Sequence, residues 1–198
     1  MSFITLDFET FYSNEVGFRK MTTEEYVRNR EFHVIGVGVK VDDAPAIWFS
    51  GSYEETKSFL MQFDWDDSAL LCHNMLFDGA VLAWEFGIKP AFYYDTLCMA
   101  RAIHGVEAGG SLKALAERYE LGTKGTEVDD AKGKKRLDFT PEDLAQYGEY
   151  CKNDVNLTKA LFKELVRHFP EDELMLIDMT LRMFIDPVLE VDDAMLND

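Results

Sequence analysis

Basic residues are scarce in this sequence: 20 lysines and arginines stand against 37 aspartates and glutamates, a formal charge of −17 over 198 residues. Proteins that hold nucleic acid along a track carry a positive footprint, so this balance leaves two readings open: a chain that does not bind nucleic acid, or one that touches a strand end weakly through metal ions and a few local bases. Cysteine is scarce too. The three present, Cys72, Cys98 and Cys151, are odd in number and widely spaced, with no CxxC pair, which argues against a disulfide framework and suits buried thiols in a reducing compartment. No uncharged apolar run is long enough to span a bilayer, and the N-terminus enters a strand instead of a basic stretch followed by an apolar one. The expectation is a cytoplasmic chain with no membrane partner. Repeats and low-complexity tracts are absent as well.

What is present is apolar and patterned. Hydrophobic residues make up 47% of the chain and aromatics 13%, enough to fill the core of one domain of this length. Residues 2–8 and 32–41 alternate with a period of two, 44–49 makes a third strand after an Asp-Asp turn at Asp42 and Asp43, and the short links between them predict an antiparallel meander. The pattern then changes. Ser52 opens a helix to about Phe63, 68–73 is a continuous apolar strand, Met75–Phe86 is a helix ended by Gly87, 92–94 is a short strand, and Asp95-Thr96 opens a helix to His104. Strands alternating with helices imply parallel pairing, so the predicted fold class is α/β, a mixed sheet with helices on both faces. Ser111 caps a helix to Tyr119, residues 122–139 read as a loop, and Thr140-Pro141-Glu142-Asp143 starts a long helix reaching about His168. Pro170 interrupts it, and a last helix covers Asp172–Phe184 before Pro187. The division expected is a domain over 1–168 and a C-terminal helix and tail over 169–198.

Three short patterns carry acids. Asp7 and Glu9 lie two apart on the first strand, share a face about 7 Å apart and repel each other. Asp78 follows His73-Asn74-Met75-Leu76-Phe77, where a strand passes into a helix at the carboxyl edge of the sheet. Tyr150 and Asp154 lie four apart on the long helix and share a face. Hard divalent ions such as Mg²⁺ take carboxylate and water oxygens, and two of them can serve phosphodiester hydrolysis. Taken singly each pattern has an ordinary structural explanation: solvated acids at a strand end, a first-turn helix acid, a core tyrosine. Their joint occurrence does not.

In order and spacing, Asp7-x-Glu9-Thr10, Asn74-x-x-Phe77-Asp78 and Tyr150-x-x-x-Asp154 resemble the three motifs of the DEDD 3′-to-5′ exonucleases on the ribonuclease-H-like fold. The likeness covers about residues 1–165. It implies the Tyr subtype, because the His subtype would need His five before Asp154 and position 149 is Glu. It further implies that Asp7 bridges two Mg²⁺ ions, for which Mn²⁺ can substitute. Glu9 and Asp154 would complete one metal site, Asp78 would hold the second metal, and Tyr150 would orient the attacking water. Thr10, Asn74 and Phe77 would meet the terminal nucleotide. Ser111–Tyr119 is similar to a helix of family A proofreading domains, and Leu176–Val191, with Leu189-Glu190-Val191-Asp192, looks like the start of a polymerase region. Since the domain starts at residue 1, the resemblance points to a polymerase of phage type, in a phage or bacterial cell.

The function this implies is trimming of single-stranded DNA 3′ ends by a monomer, with a polymerase domain in cis or as partner. Lys134, Lys135 and Arg136 in the 122–139 loop are candidate strand contacts, although that loop carries a net charge of only about +1 and reads equally well as solvated. Two rivals stand beside it: a ribonuclease-D-type RNA 3′ exonuclease, and a non-catalytic docking module of the same fold. Asp95 with Thr96 reads as a helix cap and His73 as a packed histidine.

Overall fold

In the computed structural model, which describes residues 1–125, 131–189 and 191–196, the first strand lies at the centre of the sheet. That strand, β1 (Ser2–Thr10), buries Ile4, Leu6 and Phe8 on one face and turns Phe3, Thr5, Asp7 and Glu9 to the other, as period-two alternation requires. β2 (Val34–Val41) and β3 (Ile47–Phe49) follow on one side as the antiparallel meander. β4 (Ser68–Cys72) and β5 (Phe92–Asp95) extend the other side in parallel. The order across the sheet is β3-β2-β1-β4-β5, the mixed arrangement expected from the sequence.

The helices are α1 (Thr23–Val27), α2 (Tyr53–Leu60), α3 (Met75–Ala80), α4 (Thr96–His104), α5 (Leu112–Arg118), α6 (Pro141–Leu165), α7 (Glu171–Ile185) and α8 (Asp193–Leu196). Capping boxes start α1, α2 and α6, each pairing a Thr or Ser with an acid three residues on: Thr22 with Glu25, Ser52 with Glu55, Thr140 with Asp143. On one face of the sheet α6 packs Leu157, Leu161 and Phe162 against Phe3 and Leu71, with α5 alongside. On the other, Ile4, Leu6 and Phe8 share a core with Val81, Leu82, Leu181 and Ile185. Helix α7 thus packs on the same core as α3. Its Asp178 accepts the Tyr93 N–H (2.8 Å) on edge strand β5, and its Arg182 donates to the carbonyl of Ala91 (2.8 Å).

Several boundaries differ from expectation, each for a local reason. The helix expected over Met75–Phe86 is α-helical only to Ala80 and then widens into a π turn, Val81–Glu85. The wider turn keeps Val81 and Leu82 in the core while Trp84 points Nε1 at the Ile185 carbonyl (2.8 Å). β3 begins at Ile47 instead of Ala44 because Pro45 has no N–H for a ladder. β2 begins at Val34, since the Phe32 N–H bonds back to Asn29. α2 stops at Leu60, whose carbonyl accepts from Trp65 Nε1 (2.7 Å). The single turn α8, which the sequence reading lacked, is started by Asp192 accepting the N–H groups of Ala194 and Met195. Of the loop expected over 122–139, residues 126–130 lie outside the described residues, as does Glu190 of the tail segment; a 3₁₀ turn occupies Arg136–Asp138. Among the described residues, no helix is long and apolar enough to cross a membrane.

Candidate active site

Two glycines on β2 determine how close α6 comes to the acids of β1. Gly38 pairs with Asp7 and Gly36 with Glu9, so neither acid has a side chain beside it on that face. A Cβ at Gly38 would meet Cys151 Sγ at 2.7 Å and Val155 Cγ2 at 3.0 Å; one at Gly36 would meet the Trp48 ring at 2.2 Å. Gly148 on α6 gives Trp48 the same room, at 2.4 Å. The helix therefore rests on strand backbone, and Tyr150, Cys151 and Asp154 reach the end of β1. Glycine inside a strand marks such close approaches; in FHVIGVGVKV that signal was present, and the sequence reading took only the alternation from it.

Asp78 is positioned by the edge of the sheet. Pairing between β1 and β4 runs as far as Thr5 with Leu71, and beyond it the Phe8 N–H donates to Asp78 Oδ1 at 2.9 Å. The loop into α3 turns at Asn74, which adopts a left-handed conformation with φ 74°. Its N–H donates to Asp95 Oδ1 (3.0 Å), and the same oxygen caps α4 through the Leu97 N–H (2.9 Å). Asp95 is thus the cap expected, and it also holds the loop that delivers Asp78. His73 is packed as expected: Nε2 donates to the Gly110 carbonyl and Nδ1 meets the Thr96 hydroxyl, both at 2.9 Å. With both ring nitrogens engaged it is no ligand.

The acids converge in a poorly solvated space. Burial, and then the Asp154 charge, pushes the Asp7 pKa up to about 7. Burial and then Asp7 hold Glu9 and Asp78 well above the usual carboxylate range. Carboxylate oxygens of Asp7 and Glu9 and the Cys151 sulfur lie within 4.8 Å of one another, with Cys151 Sγ 3.6 Å from Asp7 Oδ2. Asp154 is paired with Lys124 at 2.5 Å, and that ammonium lies 5.3 Å from the centre of the Tyr150 ring. Burial works against a charged Lys124, but the Asp154 pairing outweighs it and raises the pKa. Burial, followed by the Asp154 charge, raises the Tyr150 phenol, which stays a hydrogen-bond donor at neutral pH. Tyr147, one helical turn earlier, is 5% exposed; its hydroxyl faces Glu9 without a closed hydrogen bond.

Two clefts flank this cluster. The larger, about 770 Å³, is lined by Glu9, Thr10, Tyr12, Phe18 and Tyr147, with cations from Arg19, Lys20 and Lys132. The smaller, about 470 Å³, is lined by Asp7, Asn74, Asp154, Arg101 and Lys124. Of the residues singled out in the sequence, Asp7, Glu9, Asp78, Tyr150 and Asp154 come together, and Thr10 and Asn74 border the clefts. Thr10 Oγ1 is tied to the Tyr26 hydroxyl at 2.9 Å. Phe77 is buried, stacked on Tyr26 and met edge-on by Phe18. Lys134, Lys135 and Arg136 lie outside the lining of the larger cleft; Lys134 sits over Phe139 and Lys135 over Phe11. Sequence reasoning missed Lys124, Tyr147, Cys151 and the two glycines as parts of the site. For Tyr147 and Cys151 a signal existed, since residues three or four from Tyr150 and Asp154 share their helix face. For Lys124 there was none.

The donor set suits hard divalent cations. Carboxylates from β1, α3 and α6 gather where they repel one another, which is the charge and oxygen chemistry such ions take. The model of the 3′-5′ exonuclease family matches residues 3–169. The chain belongs to that family and is an exonuclease with the ribonuclease-H-like fold, a class that uses divalent metals. Among solved structures it is similar to Trypanosoma brucei RNase D in complex with RNA U12, at 17% identity and a TM-score of 0.69, covering 97% of this chain and 66% of that one. It is also similar to Brucella melitensis NrnC bound to pGG, at 17% identity and a TM-score of 0.64, covering 92% and 81%, and to NrnC with bound Mg²⁺, at 16% identity and a TM-score of 0.61, covering 92% and 81%. The chain thus spans about two thirds of the length of the trypanosomal enzyme. No curated protein matches it in sequence.

Proposed function

We propose that the chain removes nucleotides from single-stranded DNA 3′ ends, as the proofreading part of a DNA polymerase inside a bacterial or phage-infected cell. The observation that carries the chemistry is the convergence of Asp7, Glu9, Asp78 and Asp154 with Tyr150 between two clefts. The matched family, which has DNA polymerase A in its name, supports the polymerase setting. Two divalent cations, Mg²⁺ or in its place Mn²⁺, would be held by the four carboxylates and would supply the charge that activates water and steadies the departing oxygen.

The chain's own residues do the rest. A water gives up one proton to solvent and attacks the terminal phosphorus, the bond to the 3′ oxygen of the preceding nucleotide breaks, and that oxygen takes a proton from solvent. The Tyr150 hydroxyl, kept protonated, directs a lone pair of the water toward phosphorus. Lys124 holds Asp154 in place through their ion pair. The larger cleft receives the terminal nucleoside against Tyr12 and Phe18, and stacking there tolerates any base. Arg101 and Asn74, in the smaller cleft, guide the strand behind it. The domain acts as a monomer with a polymerase region in cis or as a partner.

A second reading is favoured by the structural neighbours: trimming of RNA or short oligonucleotides. 5′-labelled DNA and RNA oligomers matched in sequence and free of thymine and uracil, followed over time with Mg²⁺, separate the two, because the 2′-hydroxyl is then what distinguishes them. The expected result is a DNA ladder shortening from the 3′ end, abolished by EDTA and by Asp7→Ala combined with Glu9→Ala. Faster shortening of RNA would replace the DNA assignment with the second reading. Hydrolysis retained in the folded double variant would overturn both.

A further inference from the structure

We infer that this site also takes thiophilic divalent ions, Zn²⁺ or Cd²⁺, through Cys151 together with Asp7 and Glu9, and that such an ion holds the exonuclease off. A site for Mg²⁺ alone needs only oxygen, yet α6 sets a thiol 3.6 Å from Asp7 Oδ2. Its sulfur and one oxygen from each of Asp7 and Glu9 lie within 4.8 Å of one another. Ligands around a tetrahedral zinc, bound at roughly 2.0–2.3 Å, sit about 3.5 Å apart, so small side-chain rotations close the set. A second observation points to the same place: the Tyr147 hydroxyl, 5% exposed and without a hydrogen-bond partner, borders Glu9.

Ligand softness decides which ion gains. Thiolate favours Zn²⁺ and Cd²⁺ over Mg²⁺, whose preference is for oxygen. On binding, the Cys151 S–H bond breaks, the sulfur keeps the electron pair for the metal, and the proton passes to buffer. Asp7 and Glu9 are then drawn toward the sulfur and away from the arrangement required for hydrolysis. Cys98, whose thiol donates to Asp95 Oδ2 at 3.2 Å, and Cys72, buried in the core, stand apart from this set and serve as internal controls.

The metal-binding half stands without any assumption about activity, while the inhibitory half rests on the exonuclease reading. Titrating the whole chain with Cd²⁺ while recording the ultraviolet thiolate-to-cadmium charge-transfer band tests the first. The expected band saturates in the wild type and in Cys98→Ser, and is absent in Cys151→Ser and Cys151→Ala, whose melting curves show that they fold. Competition of Zn²⁺ against Mg²⁺-supported hydrolysis, with each protein scaled to its own Mg²⁺ rate, tests the second. Loss of the sulfur should weaken Zn²⁺ by at least the ~10–100-fold typical of losing even an outer-shell partner. No band in the wild type, or a band retained in Cys151→Ser, overturns the proposal. A band that depends on Cys151 in a protein without Mg²⁺-dependent hydrolysis keeps the metal site and refutes the exonuclease reading instead.

Discussion

Asp7 lies half-buried among three other carboxyls at the edge of the smaller cleft, and that position makes the protein's stability depend on pH in a particular direction. Its pKa stands at about 7 through burial and then the Asp154 charge, whereas an unfolded aspartate titrates near about 3.9. A carboxyl whose folded pKa lies above its unfolded value favours the fold while protonated. The contribution is complete below about pH 4 and is lost as pH rises through 7. In EDTA the melting temperature should therefore fall between about pH 4 and pH 7.5, and Asp7→Asn, which cannot ionise, should flatten that fall. Mg²⁺ at neutral pH should restore the lost stability in the wild type, because a cation replaces the missing protons. A melting temperature rising steadily over this range in EDTA would show that the acids are not mutually destabilising. The same crowding explains what the residues disclose by themselves: the four acids and Tyr150 are legible at motif spacing. Lys124 is not, because the fold alone brings a loop lysine to 2.5 Å from Asp154.

At the scale of elements, the sheet and helix α6 form one unit whose spacing is determined by what β2 lacks. Gly38→Ala would place a Cβ 2.7 Å from Cys151 Sγ and 3.0 Å from Val155 Cγ2. The helix must then lift, and overpacking of this kind costs about 1–3 kcal/mol. Urea unfolding should report that loss, and the hydrolysis rate should drop by more than stability accounts for, since Tyr150 and Asp154 move with the helix. An unchanged rate in a destabilised Gly38→Ala would mean that α6 position does not control the site. Most elements were legible because their ends carry capping chemistry: Ser52, Ser111 and Thr140 each cap where the sequence placed a cap. The misses have tertiary causes. The π turn at Val81–Glu85 is shaped by Trp84 reaching Ile185 about a hundred residues away in sequence, and no local pattern announces that. The glycines were read as part of an alternation, although what they provide is closeness.

For the whole molecule, the last long helix belongs to the same core as the sheet, although the family likeness ends at residue 169. Leu181 and Ile185 are buried with Leu82 and Val81, and a Cβ at Gly79 would meet Ile185 Cδ1 at 2.5 Å. A chain cut after residue 169 loses these apolar groups together with the Asp178 bond to Tyr93. Since each buried Leu or Ile removed to Ala alone costs about 2–5 kcal/mol, against a total of about 5–15, the truncated chain should fail to fold, which circular dichroism would show. A cooperative melt in that fragment would make α7 an accessory. The charge of the whole chain leads to a last expectation. With a net charge of −17, electrostatic hold on a strand can come only from cations at the clefts. In the larger cleft Lys20 is already paired with Glu15 at 2.6 Å, and in the smaller one Lys124 is paired with Asp154, leaving Arg19, Lys132 and Arg101 to meet phosphate. Three contacts to a single strand predict a slope of about −2.1 for log affinity against log salt. Measured as the salt dependence of 1/KM on single-stranded DNA, a slope near that value fits an enzyme that holds a strand end briefly through three side chains. A slope several times steeper would require a basic surface that this charge distribution does not provide.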